Sequence, residues 1–272
     1  MEKPIGVFDS GYGGLTVLKE LQAALPSYDF LYLGDNARAP YGSRSFELVY
    51  EFTLEAVEYL FSMGCELVIL ACNTASAKAL RTIQQKVLPV KYPEKRVLGV
   101  IRPSSEIIGE YTRSNHIGIL ATEGTVKSNS YLIEIHRFYP MISVTQYACP
   151  IWVPLIESGK FNTPEGKAIF KEDIQQLMKL DDKIDTIILA CTHYPIIQDI
   201  LREYVPEHVV ILPQGDIVAA KLVDYLRRHP EIESKCSKNG KVYFLTTENA
   251  ADFNVLASHF LGYEITSRTV KL

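Results

Sequence analysis

The 272-residue sequence is poor in several features that would each have narrowed its class. Its five cysteines, Cys65, Cys72, Cys149, Cys191 and Cys236, are an odd number, and no two form a Cys-x-x-Cys pair. Neither a secreted disulfide framework nor a zinc knuckle is indicated, so no metal is expected and the thiols should be reduced and cytoplasmic. No apolar run approaches the roughly 18 residues needed to cross a bilayer. The opening MEKPIGVFDS has no apolar leader, so a soluble cytoplasmic protein without a membrane partner is expected. A basic excess is also missing: 28 Lys and Arg against 32 Asp and Glu leave a net charge of −4, the wrong sign for a nucleic-acid surface. The one compact basic cluster, Arg227-Arg228-His229, ends a helical pattern, where positive charge favours the helix dipole. A chain this long buries roughly three quarters of its unfolded surface, enough for a core without a covalent staple.

Short continuous apolar runs recur almost from end to end of the chain: Ile5 to Phe8, Phe30 to Leu33, Leu67 to Leu70, Val97 to Val100, Ile117 to Leu120, Ile142 to Val144, Ile184 to Leu189, Val209 to Leu212 and Val242 to Leu245. Continuous rather than alternating runs mark strands covered on both faces, the signature of a mostly parallel α/β sheet. Helical patterns lie between them. Phe46 to Met63 carries apolar residues at helical spacing, and Thr163-Pro164-Glu165 supplies a cap, a first-turn proline and an early acid for a helix through Met178. A coarse repeat runs through this pattern. IGVFDSG from Ile5 resembles IGILATEG from Ile117, and LACNTA around Cys72 resembles LACTHY around Cys191, at similar offsets, which suggests two related halves.

In an open parallel sheet the ligand crevice lies at the carboxyl ends of the strands, so the loops after these runs should hold the site. Gly11-Tyr12-Gly13-Gly14 completes neither a dinucleotide nor a Walker-type phosphate motif; a tight turn with exposed amide N–H groups that can bind a carboxylate is the modest reading. Cys72 and Cys191 each end an apolar run. A helix start beside each would lower the thiol pKa from its usual ~8.5. Two thiols facing one cleft can ligate a metal with His193 as a further ligand, form a redox disulfide, or flank a substrate carbon as base and acid. The last is what racemisation needs, because a proton leaves one face of a stereocentre while another arrives on the opposite face. Asp9 suits an ammonium, and Ser10, Asn73, Thr74 and Thr192 suit a carboxylate. No lysine sits in a recognisable pyridoxal-phosphate context, so a cofactor-free amino-acid reaction is the consistent expectation.

At these residues the sequence resembles the glutamate racemases, over essentially its whole length. The motifs are IGVFDSGYGGL (Ile5 to Leu15), GDNARAPYG (Gly34 to Gly42), LACNTA (Leu70 to Ala75), GVIRP (Gly99 to Pro103), Thr122 to Thr125, VPLIE (Val153 to Glu157) and LACTHYP (Leu189 to Pro195). The resemblance implies an α/β fold of two similar doubly wound domains with mostly parallel sheets and the active site between them. The expected boundaries are 1–100 plus 213–272 for one domain and 101–212 for the other, with crossings near Pro103 and Pro213. It also implies cofactor-independent interconversion of L- and D-glutamate, supplying D-glutamate for peptidoglycan. Cys72 would take the proton from the D-enantiomer and Cys191 from the L-enantiomer, with Asp9 and His193 assisting. Asp9, Ser10, Tyr41, Gly42, Asn73, Thr74, Thr192 and His193 would contact substrate, and Thr122, Thr125 and Glu157 also match the family pattern. A homodimer is common in the family. The chain starts almost at its first strand, so no N-terminal extension of the kind that binds a cell-wall-precursor activator in some members is expected.

Two departures stand out: Asn36 follows Asp35 where threonine is common, and Ser104-Ser105 follow Pro103 where glycine or alanine is frequent. Several residues also have a plainer reading. Asp9 can cap its turn, Tyr41-Gly42 can be a turn with an aromatic lid, His193 a satisfied cap-proximal histidine and Glu157 a solvated helix residue. The thiol corners do not fix side-chain length, which leaves an aspartate or hydantoin racemase or a related decarboxylase as the near alternative. A binding protein that senses small acids or redox state through the two thiols is the alternative from another class.

Overall fold

The structure, a computed structural model, describes residues 3–272. Residues 1–2, part of the expected first-domain boundary and of the N-terminal stretch searched for a leader, lie outside the described residues. Among the described residues ten strands form two sheets: β1 (Ile5–Asp9), β2 (Phe30–Gly34), β3 (Leu67–Leu70), β4 (Arg96–Gly99), β5 (His116–Ala121), β6 (Ser143–Ala148), β7 (Thr186–Ala190), β8 (Val210–Leu212), β9 (Val242–Thr246) and β10 (Ser267–Thr269). The larger sheet has the order β10-β9-β2-β1-β3-β4 and the smaller β6-β5-β7-β8. All pairings are parallel. The continuous apolar runs therefore mean what parallel strands require: β1, β2, β3 and β7 are buried at every position, because helices cover both faces.

The strand orders explain the repeat. β2-β1-β3-β4 in the larger sheet has the same arrangement as β6-β5-β7-β8 in the smaller, with β9 and β10 added beyond β2. Cys72 follows β3 and Cys191 follows β7, so the two thiols end corresponding strands. β10 has no counterpart among the apolar runs. It is a three-residue edge strand with mostly exposed side chains, and burial was the signal that marked the others.

Local chemistry sets the helix boundaries. The Ser45 hydroxyl accepts the Leu48 N–H at 3.2 Å to start the helix Phe46–Ser62, and the Thr163 hydroxyl accepts the Gly166 N–H at 3.1 Å ahead of Pro164–Leu180. Each sheet has a core on either face. In the larger sheet Ile5, Leu18 and Phe30 pack on one side and Phe8, Val57 and Leu70 on the other. In the smaller, Trp152, Phe170 and Ile187 oppose Ile117, Tyr131 and Ile188. The chain leaves the first core after Val100 and enters the second at Ile101; it leaves the second at Leu212 and has rejoined the first by Val218. Among the described residues no helix is long and apolar enough to cross a membrane.

Ile187, on β7 between β5 and β8, is fully buried. Ile187→Ala is expected to cost about 2–5 kcal/mol, because the lost methyl groups leave a cavity that the sheet cannot close. A urea midpoint equal to that of the wild type would show that this strand is not part of the core.

Candidate active site

The carboxyl ends of both sheets converge on one cavity of about 90 Å³, lined from the first half by Ser10, Gly11, Tyr41, Gly42, Cys72, Asn73 and Thr74 and from the second by Thr122, Glu157, Cys191, Thr192 and His193. The Cys72 corner behaves as the sequence suggests in form. Cys72 is the cap of the short helix Asn73–Lys78, its sulfur accepts the Ala75 N–H at 3.4 Å, and the Ser10 hydroxyl lies 3.5 Å from it. Its acidity departs from the expectation. Burial pushes the Cys72 thiol up to about 12, the Asp9 charge adds to the rise, and the Ser10 and Ala75 hydrogen bonds only partly oppose it. A helix of six residues gives too little field to outweigh the loss of water.

The second corner is not a copy of the first. Cys191 is followed by a turn and a 3-10 helix, Tyr194–Ile197, rather than an α-helix, which corrects the expected helix-start geometry. What stands beside it instead is a titratable partner. His193 Nδ1 lies 4.0 Å from Cys191 Sγ, and its Nε2 lies 2.9 Å from a Glu157 carboxylate oxygen. Burial disfavours the imidazolium, but the Cys191 sulfur and the Glu157 carboxylate more than offset that, raising the His193 pKa to about 10. Glu157 is therefore not a merely solvated helix residue. Its carboxylate holds the outer edge of the ring that faces the thiol.

Asp9 divides the two parts expected of it. It is fully buried and stands behind the cavity wall, with one carboxylate oxygen accepting the Gly11 N–H at 2.9 Å and the other the Thr192 hydroxyl at 3.3 Å. Asp9 is not among the side chains that line the cavity, and one protein donor engages each of its oxygens. Burial pushes its carboxyl above the ordinary carboxylate range, against the pull of the His193 cation and the Gly11 and Gly14 N–H groups. Asp9 is thus bonded to the second corner through Thr192 and coupled by charge to Cys72 in the first.

Other expected residues join the halves. The Thr74 hydroxyl lies 2.9 Å from that of Thr122 and 3.3 Å from that of Thr125, across the cleft. The Gly42 carbonyl accepts the Gly124 N–H at 2.8 Å, and Thr16 donates to the Thr192 carbonyl at 2.9 Å. The approach is closest at Gly13, where a Cβ would lie 2.3 Å from Thr192 Oγ1 and 2.4 Å from His193 Nδ1. Only glycine fits there. Tyr41 lines the cavity while its hydroxyl donates to the buried Asp35 carboxylate, so its ring faces the site and its polar end anchors the loop.

Cys149, Pro150, Val153 and Pro154 form a wall of the cavity; Val153 and Pro154 lie in the VPLIE motif, but the sequence reading assigned none of the four to the site. They follow β6, and applying the carboxyl-end rule to every apolar run would have included them.

Two thiols that end corresponding strands and meet at one small cavity, with an acid and a histidine close behind, define an enzyme that moves protons on a compact polar substrate. Residues 5–221 match the family model described as Asp/Glu/Hydantoin racemase. The glutamate racemase of Bacillus cereus is 38% identical over 97% of this chain and 95% of its own. Among solved structures, glutamate racemase isoform RacE1 from Bacillus anthracis superposes with a TM-score of 0.90 at 34% identity over 99% of this chain and 98% of that one. The Francisella tularensis glutamate racemase, solved in complex with D-glutamate, gives 0.87 at 31% identity over 99% of this chain and 98% of that one. The chain belongs to the Asp/Glu/hydantoin racemase family and, within it, to the glutamate racemases. It is an isomerase.

The His193 environment predicts a pH signature. Its folded pKa of about 10 lies above the 6.5 of a free imidazole, so the stabilisation it gives is complete below 6.5 and is lost as pH rises through 10. The gap in unfolding temperature between wild type and His193→Asn should be widest at the acid end of that window and shrink towards its alkaline end. A gap that does not change with pH would rule out the buried imidazolium.

Proposed function

We propose that this chain interconverts L- and D-glutamate by proton transfer between two thiols, Cys191 working on the L-enantiomer and Cys72 on the D-enantiomer. One observation carries the reading: the thiols end corresponding strands of two like-ordered sheets and line one cavity from its two halves. That arrangement supports access to both faces of a single stereocentre.

In the L-to-D direction the Cys191 thiolate takes the α-proton and becomes a thiol. The Cys72 thiol gives its proton to the opposite face and becomes a thiolate. The raised pKa of Cys72 suits this start, since it rests protonated and ready to donate. The D-to-L direction needs Cys72 as thiolate. A proton held on Asp9, whose carboxyl burial already favours as the neutral acid, removes the negative charge that opposes that thiolate. His193, held by Glu157, exchanges protons with Cys191 in the same manner. The α-hydrogen of an amino acid is far less acidic than a thiol, so fixed donors must stabilise the carbanionic transition state. Ser10, Thr74 and Thr192 stand at the cavity for that purpose, and Asn73 beside them suits the substrate carboxylate. Domain boundaries at 1–100 plus 213–272 and 101–212 agree with this reading, since the cavity then lies between the two domains.

In heavy water, purified protein without added cofactor should exchange the α-hydrogen of either glutamate enantiomer for deuterium, and should do so far faster than with aspartate. Cys72→Ser and Cys191→Ser should each lower racemisation by roughly 10²–10⁴-fold, the usual worth of a positioned acid or base. Wild-type turnover by Cys191→Ser, or no exchange by the wild type, would refute the two-thiol reaction.

A further inference from the structure

A closed ring of three buried side chains stands directly behind the Cys72 corner, where the chain crosses between the sheets. Asn73 Nδ2 donates to Gln214 Oε1 at 2.7 Å, Gln214 Nε2 donates to the Tyr131 hydroxyl at 2.5 Å, and that hydroxyl donates to Asn73 Oδ1 at 2.6 Å. Asn73 is 3% exposed, Gln214 4% and Tyr131 0%. Asn73 lines the cavity beside Cys72; Gln214 and Tyr131 do not. We propose that Gln214 and Tyr131 are positioning residues for the racemisation: they fix the Asn73 amide so that it offers the substrate carboxylate an N–H and not a carbonyl oxygen.

The polarity of the ring follows from its anchor. Gln214 Nε2 also lies 3.3 Å from the Val100 carbonyl, which can only accept, and 2.9 Å from Ser104 Oγ, whose own proton is directed to that same carbonyl at 3.4 Å. The Gln214 nitrogen therefore faces Val100 and Ser104, and its oxygen faces Asn73. An Asn73 turned the other way would set Oδ1 against Gln214 Oε1, two acceptors at hydrogen-bond distance with no water to relieve them. One Asn73 N–H is thus committed to Gln214 and the second is left for the cavity. A carboxylate is the ligand such a donor favours, since hydrogen bonds to an ionised acceptor are the stronger ones.

The ring draws on both crossings. Val100 and Ser104 flank the first and Gln214 lies in the second, while Tyr131 belongs to the second half and Asn73 to the first. Ser104, one of the departures from the family pattern, is part of the anchor. The orientation of a single amide in the site is therefore set by groups from every part of the chain that the two halves share.

The proposal rests on Asn73 holding the substrate carboxylate, so the test begins there, using the full chain and both glutamate enantiomers. Asn73→Ala should raise KM. Gln214→Met should raise KM for both enantiomers by roughly tenfold with kcat within about twofold of wild type, the pattern of lost uniform binding, because the carboxylate is common to both. In an Asn73→Ala background the same Gln214→Met change should move KM less than about twofold, since the two act through one group. Tyr131→Phe removes a single oxygen and should give the same pattern at smaller magnitude, so the proposal stays testable if Gln214→Met folds poorly. A Gln214→Met enzyme with unchanged KM overturns the proposal, as does one whose loss in kcat and KM persists in full without the Asn73 amide. If Asn73→Ala itself leaves KM unchanged, the carboxylate assignment fails first, a result distinct from a silent Gln214.

Discussion

Cys72, Cys191, Asp9 and His193 all stand at the carboxyl ends of parallel strands, and the rest of the molecule is arranged around that constraint. Parallel strands need helical crossovers, the crossovers cover both faces, and only the loops at one edge of each sheet stay open to hold polar groups. With two sheets sharing the strand order β2-β1-β3-β4 and β6-β5-β7-β8, corresponding loops of the two halves meet at one cavity. Close approach then dictates composition locally. Gly13 lies against Thr192 and His193, and the Gly42 carbonyl receives the Gly124 N–H across the cleft.

Burial, more than helix position, sets the protonation of the site. Loss of water raises the Cys72 thiol and the Asp9 carboxyl, and each keeps its proton more readily because of it. At His193 burial works the other way and loses to the neighbouring sulfur and carboxylate. The two thiols are therefore served differently: one by a buried acid and a hydroxyl, the other by an imidazolium braced by Glu157. Hydrogen bonds across the cleft, such as Thr192 to Asp9, tie these two sets of partners into one network.

Much of this was legible in the sequence because the relevant signals are local. Continuous apolar runs located nine of the ten strands, and the paired cysteine corners located the cavity. The tenth strand is short, polar and at an edge, so no run betrays it. Thiol acidity was misjudged because it depends on how much water reaches Cys72, which no neighbouring residue encodes. The tie of Asp9 to the second corner was not legible, because its partner Thr192 is distant in sequence. The Asn73–Gln214–Tyr131 ring was invisible for the same reason: its members are brought together only when the chain has crossed between sheets and returned.

The inequality of the two cysteine corners has a thermodynamic consequence. Enantiomers in water have equal free energies, so the equilibrium constant between them is unity and no enzyme can shift it. Yet Cys72 heads a short helix and Cys191 heads a turn with a histidine, and these surroundings are not mirror images. Catalytic efficiency must still be the same in both directions. The built-in asymmetry can appear only as a trade between turnover and saturation, so that the faster direction is also the one that needs more substrate to fill the site.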